Sequence, residues 1–459
     1  MESEQSRTQQ AEICDRNSLL SLAVESYIFG FASVEMYRTM YQLAGSQSVG
    51  KRDYVFNKFF HSRRRATADE FWLAAPNSEI LYSNAWLDLS TSPLLLDVPD
   101  MGSRYYVLQF LDYFANAFAY VGTRTFGNSS RSLAIVGPAW SGSFPDDIAV
   151  VRSPTNFAWI FGRISIQGDH EFDEVHGLQD RLELSSPIVS SEPAPCREPW
   201  PPFRNSDKLD FFSNLDQVLR RNAPPAEDTQ LIRRLPQLGM LRDNSFEPTN
   251  VDESLRGILE QAITLGRDRI CARESQFEEF CPGWIWEGSS AGRPGRDNLS
   301  RAASAKAGLG ILAPEEAIYP FAYVDNYDEP LEGSRSYRLT FGPEEWPKAS
   351  YSWSMTVYEL PYYRLVKNPI NRYSWNSARA QESTGCNSHG SLSLQATRPK
   401  DLTSYWLPTP RTGKFALALR VFGPSDAFLR GKHLLPRIMR LFSEEGIRSS
   451  ADSHSRALS

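Results

Sequence analysis

The stretch Glu79-Ile80-Leu81-Tyr82-Ser83-Asn84-Ala85-Trp86-Leu87-Asp88-Leu89 alternates by twos. In an extended chain Ile80, Tyr82, Asn84, Trp86 and Asp88 share one face, and Leu81, Ser83, Ala85, Leu87 and Leu89 share the other. That period predicts a strand, and the same grammar recurs downstream. Phe114, Asn116, Phe118 and Tyr120 alternate with alanines, and Arg104–Leu111, Ser132–Val136 and Phe157–Ile166 read as further strands. Gly127, Gly137-Pro138 and Ser153-Pro154 supply turns between them. Many short strands broken by Gly and Pro predict a sandwich or barrel rather than a parallel sheet.

The flanks follow other rules. Upstream, Leu20, Val24, Tyr27, Phe31 and Val34 recur at helical spacing, which predicts a helix from Asn17 to about Tyr41, with Gly30 marking a close packing contact. Pro187 to Pro202 reads as a Pro- and Ser-rich linker or surface loop. Two helical stripes follow, Phe211–Leu219 and a longer one through Leu255, Ile258, Leu259, Ala262, Ile263 and Ile270, with Asn250 as the expected N-cap. Gly283 to Gly295 reads as a loop. Strands return at Ser336–Phe341, Tyr351–Leu360, Ser391–Ala396 and Phe415–Phe422. Element order repeats as well: a strand opening Phe157-Ala158 reaches Arg163, and one opening Phe415-Ala416 reaches Arg420. The expected fold is mainly β with helices (α+β): two similar antiparallel β sandwiches, an N-terminal helix and a helical insert between them. The expected boundaries are 1–44 (helix), 45–185 (first sandwich), 186–312 (linker and helices), 313–425 (second sandwich) and 426–459 (tail).

Composition narrows the function classes. The 459 residues carry 49 Lys+Arg against 55 Asp+Glu, a net charge of −6, which argues against a nucleic-acid partner. No run of eighteen apolar residues predicts a membrane span, and the polar stretch Met1 to Cys14 has no secretory h-region. The expected location is cytoplasmic. Cys14, Cys196, Cys271, Cys281 and Cys386 are odd in number and widely spaced, which suits reduced thiols.

The segments Asn77–Leu89, Asp97-Val98-Pro99-Asp100, Arg104-Tyr105-Tyr106, Gly122-Thr123-Arg124-Thr125 and Gly137-Pro138 resemble the first of two linked domains of unknown function, family 1254. Ala317-Ile318-Tyr319-Pro320, Trp353-Ser354-Met355-Thr356, Asn368–Ser374 and Trp406-Leu407-Pro408-Thr409-Pro410 resemble its partner, family 1214. The resemblance runs from about Val24 to Phe422. It implies two jelly-roll-like β domains plus helices, frequent homo-oligomers and no settled activity. Relatives in fungal clusters that make small metabolites would suit a cytosolic member. The family pattern usually has Asp then Thr where this chain has Glu79 then Ile80.

Catalytic motifs are few. Gly308-Leu309-Gly310-Ile311-Leu312-Ala313 lacks the preceding strand and following helix of a dinucleotide fingerprint. Gly288-Ser289-Ser290-Ala291-Gly292 fits a nucleophile elbow, but Arg293-Pro294-Gly295 denies it a helix, so a loop is expected. His170 and His176, among Glu171, Asp173 and Glu174, read as a solvated turn rather than a metal site, and His61 before Arg63-Arg64-Arg65 as an exposed basic stretch. No cofactor and no metal are expected.

What remains is the polar and aromatic strand face. Polar groups on a strand face otherwise rich in rings suit a pocket with apolar walls, a core of the same composition being the competing reading. Glu79, Tyr82, Asp112 and Arg124 are the candidate catalytic residues: an acid or phenol to move a proton, an arginine to hold developing oxyanion charge. Asn84, Trp86, Tyr113, Trp353 and Arg372 are the candidate substrate-binding residues, in a cleft expected to be shared by the two β domains. The expected function is a cofactor-independent enzyme acting on a hydrophobic small molecule in secondary-metabolite biosynthesis, by cyclisation, isomerisation or a pericyclic step. The alternatives are a hydrolase using acid-activated water and a non-catalytic small-molecule or carbohydrate-binding module.

Overall fold

The computed structural model describes residues 2–48, 51–69, 74–187, 200–274, 276–384, 389–400 and 403–442. Most of the expected Pro187–Pro202 loop, Cys196, Cys386 and the tail past residue 442 lie outside them. The chain divides by contact into two units: residues 1–64, 80–276 and 290–312, and residues 65–79, 277–289 and 313–459.

In the first unit the decisive stretch is strand Ile80–Asp88. It sits second in a five-stranded antiparallel sheet ordered Phe59–His61, Ile80–Asp88, Phe157–Ser165, Tyr106–Asp112, Ala117–Gly122. A second sheet is ordered Glu183–Ser185, Leu94–Val98, Arg131–Val136, Ala149–Arg152. The alternation read from the sequence decides which side meets the second sheet. Leu81, Ala85, Leu87, Leu108, Phe110, Ile160 and Ile164 pack with Leu94, Leu96, Leu133 and Ile135 in the sandwich core. The opposite face is covered too. At its edge the helix Glu2–Leu43 meets Tyr113 through Met40 and Phe114 through Phe29, and it packs with the helices Asp210–Arg221, Glu253–Glu274 and Asn298–Gly308.

The second unit repeats the plan of a larger sheet packed on a four-stranded one, with more strands in the larger sheet. Its larger sheet runs Glu278–Cys281, Trp284–Trp286, Phe321–Ala322, Phe415–Pro424, Ala349–Glu359, Arg364–Leu365, with Ala317–Ile318 and Ser374–Asn376 paired at its sides. Its smaller sheet is ordered Tyr405–Pro408, Gly390–Gln395, Ser336–Phe341, Met439–Leu441. In both sandwiches the central strand of the larger sheet is the last in its series to enter that sheet, flanked by earlier ones. Both also contain one parallel pair at the same step of the chain, Arg131–Val136 with Ala149–Arg152 and Gly390–Gln395 with Tyr405–Pro408. The fold is α+β, two sandwiches with helices as the patterning predicts, and jelly-roll-like as the resemblance implies.

Three local readings need correction. The helix expected from Asn250 begins at Glu253, because the Asp252 carboxylate accepts the Leu255 N–H at 2.9 Å and so caps it. Asn250 instead lies in a single 3-10 turn, Pro248–Asn250. Gly283–Gly295 is not wholly loop: Trp284–Trp286 pairs with Glu278–Cys281 and with Phe321, driven by two buried indoles in a short run that alternation cannot reveal. The third concerns Asn17–Tyr41. The helix spans Glu2–Leu43, and its segment Cys14–Leu43 is long and apolar enough to cross a membrane by length and composition. About 67% of its most apolar window is buried inside the protein.

Gly30 is where two helices meet closely. A Cβ there would lie 2.6 Å from Leu215 Cδ2. Gly30→Val is therefore expected to cost about 1–3 kcal/mol by overpacking. Denaturant unfolding should show it as a lower midpoint at unchanged slope.

Candidate functional site

The first sandwich collects its expected residues into a packed aromatic face. Trp86 and Trp159 stack at 5.2 Å and 2°, Trp159 and Phe161 at 4.5 Å and 13°, and Phe161 and Tyr82 at 5.3 Å and 19°. Asn84 Oδ1 accepts the Trp159 indole N–H at 3.1 Å. The Arg163 guanidinium lies 4.0 Å above the Phe161 ring and donates to Gln109 Oε1, Phe161 O and Gly310 O. Gly310, at φ +83°, allows that approach: a Cβ there would be 2.6 Å from Phe161 Cδ1. The Gly308–Ala313 run thus serves packing. Trp86 Nε1 finds no protein acceptor.

Tyr113 joins the same face, stacking on Trp200 at 5.2 Å and meeting Trp86 edge-on. Asp112 builds the hairpin turn that follows it. Its carboxylate accepts the N–H groups of Phe114 and Asn116, each at 2.9 Å, and the Asn116 side-chain amide. Burial pushes its carboxyl above the ordinary aspartate range against those hydrogen bonds. Arg124 is exposed, in the turn after Ala117–Gly122.

The second sandwich presents a different chemistry on the corresponding face. Strand Ala349–Glu359 sends Trp353, Met355 and Val357 into the core and Ser354, Thr356 and Tyr358 to the other side. Opposite them stand Arg420, Ala418 and Ala416 on one neighbour and Asn376 and Ser374 on the other. The segment Ala75–Glu79 crosses this face and is held by it. Arg420 Nη2 donates to Ala75 O at 2.7 Å and to the Tyr358 hydroxyl, which itself donates to Pro76 O at 2.7 Å. The Glu79 carboxylate accepts from the Ser374 hydroxyl and the Asn376 amide. Beside the polar groups Ala66, Ala75, Phe321, Tyr358, Tyr363, Tyr373 and Ala418 form a small apolar cluster.

Hydrogen bonding on this face is incomplete. Arg420 Nη1, Ser354 Oγ, Thr356 Oγ1 and Ser78 Oγ are buried without a protein partner. The equivalent arginine shows what completion looks like. Arg163 and Arg420 sit on corresponding central strands, and the residues two and four before them are Phe161 and Trp159 in one, Ala418 and Ala416 in the other. Gln109, opposite Phe161, satisfies Arg163; Thr356, opposite Ala418, is too short to satisfy Arg420 in the same way. Rings and an amide fill one face where methyls and hydroxyls line the other.

Of the sequence-predicted residues, Glu79 lies in this cluster. Trp353 points into the sandwich core against Trp346 and Trp375. Arg372 covers the Tyr405 ring at 4.7 Å and donates to Trp406 O, which fixes a loop. Sequence reasoning missed Ser354, Thr356, Ser374, Asn376 and Arg420 as a group. The available signal was the alternation of Ser354, Thr356 and Tyr358 with Trp353, Met355 and Val357, and an arginine inside an apolar run. Elsewhere, Ser290 is exposed on a turn closed by Arg293 N–H to Ser290 O, and among the described residues no three metal-ligating side chains cluster. Glu171, beside His170, pairs with Arg104 at 2.8 Å.

Residues 56–186 match the model of a protein family of unknown function, DUF1254, and residues 316–426 match that of a second, DUF1214. The resemblance read in the two halves of the sequence is thereby shown. No curated protein matches the chain. Among solved structures it is similar to the VPA0106 protein from Vibrio parahaemolyticus, at 21% identity and a TM-score of 0.68, over 92% of this chain and 100% of that one. That likeness concerns the fold alone. An uncharacterized protein from Burkholderia cenocepacia aligns over 93% and 96% at 12% identity and a TM-score of 0.45.

One histidine of the first sandwich gives a solution signature. His61 Nδ1 lies 2.9 Å from Ser83 Oγ, and burial, then the Arg63 charge, lowers its pKa from 6.5 to about 4. The folded protein keeps this ring neutral while the unfolded chain protonates it, so its contribution is complete above pH 6.5 and is lost as pH falls toward about 4. Denaturation midpoints of His61→Gln are expected to fall less than wild type over that window.

Proposed function

We propose that this chain, in which a DUF1254 region is joined to a DUF1214 region, is a cofactor-independent enzyme acting on a hydrophobic small molecule. Its site is the polar face of the second sandwich. The supporting observation is the buried Arg420 with one unpaired nitrogen, beside two unpaired hydroxyls and the Glu79 carboxylate on the same face. Tyr82, Asn84, Trp86 and Tyr113 are given to packing and Asp112 to its turn, so the proposed chemistry is assigned to Glu79.

The chemistry follows from what each group can do. An oxygen of the substrate accepts from Arg420, Ser354 and Thr356, and these donors are fixed before the substrate arrives. Glu79 takes the proton from the carbon next to the one bearing that oxygen. The electron pair moves onto the oxygen, where the donors hold the charge. Glu79 then returns the proton at a second position, so the product is an isomer and nothing is oxidised or reduced. Where the displaced electron pair instead attacks the carbon of a C=O or C=C bond in the same molecule, that π bond breaks, its far atom takes the proton back from Glu79, and a ring closes with no change of mass. The neighbouring alanines and tyrosines receive the apolar body, and holding a flexible chain in one conformation supplies part of the rate. A role in small-molecule biosynthesis in the cytoplasm fits this reading.

The test is conversion. Purified protein incubated with small-molecule extract from a strain lacking the gene should deplete one accumulated compound and yield an isomer of equal mass, followed by mass spectrometry. Glu79→Gln is expected to slow this by about a hundredfold or more while the melting temperature moves little. Equal rates for the variant and the wild type would refute the assignment. A compound retained unchanged by both would instead support the binding-module reading.

A further inference from the structure

The geometry points to a second ligand site in the first unit, a cavity that takes a neutral sugar ring and is independent of the face proposed above. The cavity measures about 520 Å3, within the roughly 300–1,000 Å3 of small-molecule sites. Among the described residues Arg38, Tyr41 and Gln42, near the C-terminal end of helix Glu2–Leu43, form one wall, and Phe203, Asn205 and Ser206 form the other.

The second wall has no regular structure, yet it is pinned at every other residue. Tyr37 donates its hydroxyl to Pro201 O and meets the Phe203 ring edge-on at 5.5 Å. Asn214 accepts the Arg204 N–H at 3.2 Å and returns its side-chain amide to Arg204 O at 2.9 Å. Asp210 accepts the Ser206 N–H at 2.8 Å and the Ser206 hydroxyl at 3.0 Å. Tyr37, Asn214 and Asp210 are all buried, so this wall is fixed before a ligand arrives and little ordering is left for binding to supply.

The lining selects the ligand. Its one charge is already answered: the Arg38 guanidinium pairs with Glu35 at 3.2 Å and lies 5.3 Å over the Phe203 ring. The described lining therefore offers an ion no net counter-charge. The Gln42 and Asn205 amides and the Tyr41 and Ser206 hydroxyls are neutral groups, of kinds that both donate and accept. Ser206 gives its proton to Asp210, so toward the cavity its oxygen accepts. A carboxylate only accepts and an ammonium only donates, whereas an alcohol does both. The half-buried Phe203 ring adds an apolar surface. A pyranose combines the two requirements, with hydroxyls around its rim and C–H groups on its faces.

Ligand-detected NMR and isothermal titration on the full chain test this with methyl β-D-glucopyranoside, methyl β-D-galactopyranoside and methyl α-D-mannopyranoside. The controls are benzoate, benzamidine and benzamide, flat rings that carry a negative, a positive and no charge. At least one glycoside is expected to bind with a Kd of about a millimolar, and more tightly than every flat ring. The double variant Gln42→Ala, Asn205→Ala alters two exposed side chains and should weaken it about tenfold with the melting temperature unchanged. Phe203→Ala should weaken it about as much, and Phe203→Tyr, which keeps the ring, should retain it. Binding of no glycoside, or equal or tighter binding of any flat ring, overturns the sugar site. Binding unchanged in the double variant, or lost in Phe203→Tyr as in Phe203→Ala, overturns it as well. None of these outcomes bears on the Glu79→Gln conversion assay.

Discussion

An arginine in the middle of a strand buried on both faces is the constraint around which each sandwich is arranged. Phe157–Ser165 and Phe415–Pro424 are the central strands of their sheets, and one face of each belongs to the sandwich core. Arg163 and Arg420 therefore have only the other face to use, and it too is closed to bulk water. A guanidinium so placed dictates what surrounds it, because each N–H left unpaired away from solvent costs about 1–3 kcal/mol. In the first sandwich, Gln109, the Phe161 ring and the backbone at Gly310 are arranged to that end. In the second, the backbone of Ala75 and the Tyr358 hydroxyl answer half of the demand.

The two sandwiches thus share a topology and differ in what fills the same positions. Trp159 and Phe161 spread their rings over the sheet and stack on Trp86 and Tyr82, so packing energy and ring–cation attraction hold Arg163. Ala416 and Ala418 offer methyl groups at the equivalent places, and serine and threonine replace longer side chains. Shortening residues at two periods of a strand turns a filled face into one lined by short polar groups. No change of fold is needed for that conversion, because the core face keeps its leucines and valines throughout.

Much of the architecture was legible because hydrophobic period is a local property. The alternation in Glu79–Leu89 separates the leucine face from the polar and aromatic one, and the leucine face is the one that enters the sandwich. The matched strands ending at Arg163 and Arg420 are the two central strands. Gly30, read as a close contact, is where Leu215 approaches. What was lost had short-range competition or no period. Asp252 and Asn250 are both good caps, and the hydrogen bond to Leu255 N–H chooses between them. Trp284–Trp286 is too short to show alternation. Asp112 looks like an acid on a strand, yet its carboxylate is bound by the turn two to four residues on.

Residue identity and order alone determined most of the strands and helices, which face of the long strands is apolar and that the β plan occurs twice, since each depends on neighbours a few positions apart. The two halves of the family resemblance were carried by the same local motifs. Only the tertiary structure decided which polar groups end up together. Glu79 meets Ser374 and Asn376 nearly three hundred residues away, and Ala75 meets Arg420 across 345 positions. Burial decided the rest. Tyr82 with Trp86 and Ser354 with Thr356 are both faces of alternating strands, and what distinguishes them is whether rings from the neighbouring strand satisfy and fill the space above. Satisfaction of a buried polar group is a property of three-dimensional neighbours, which a period along the chain does not encode.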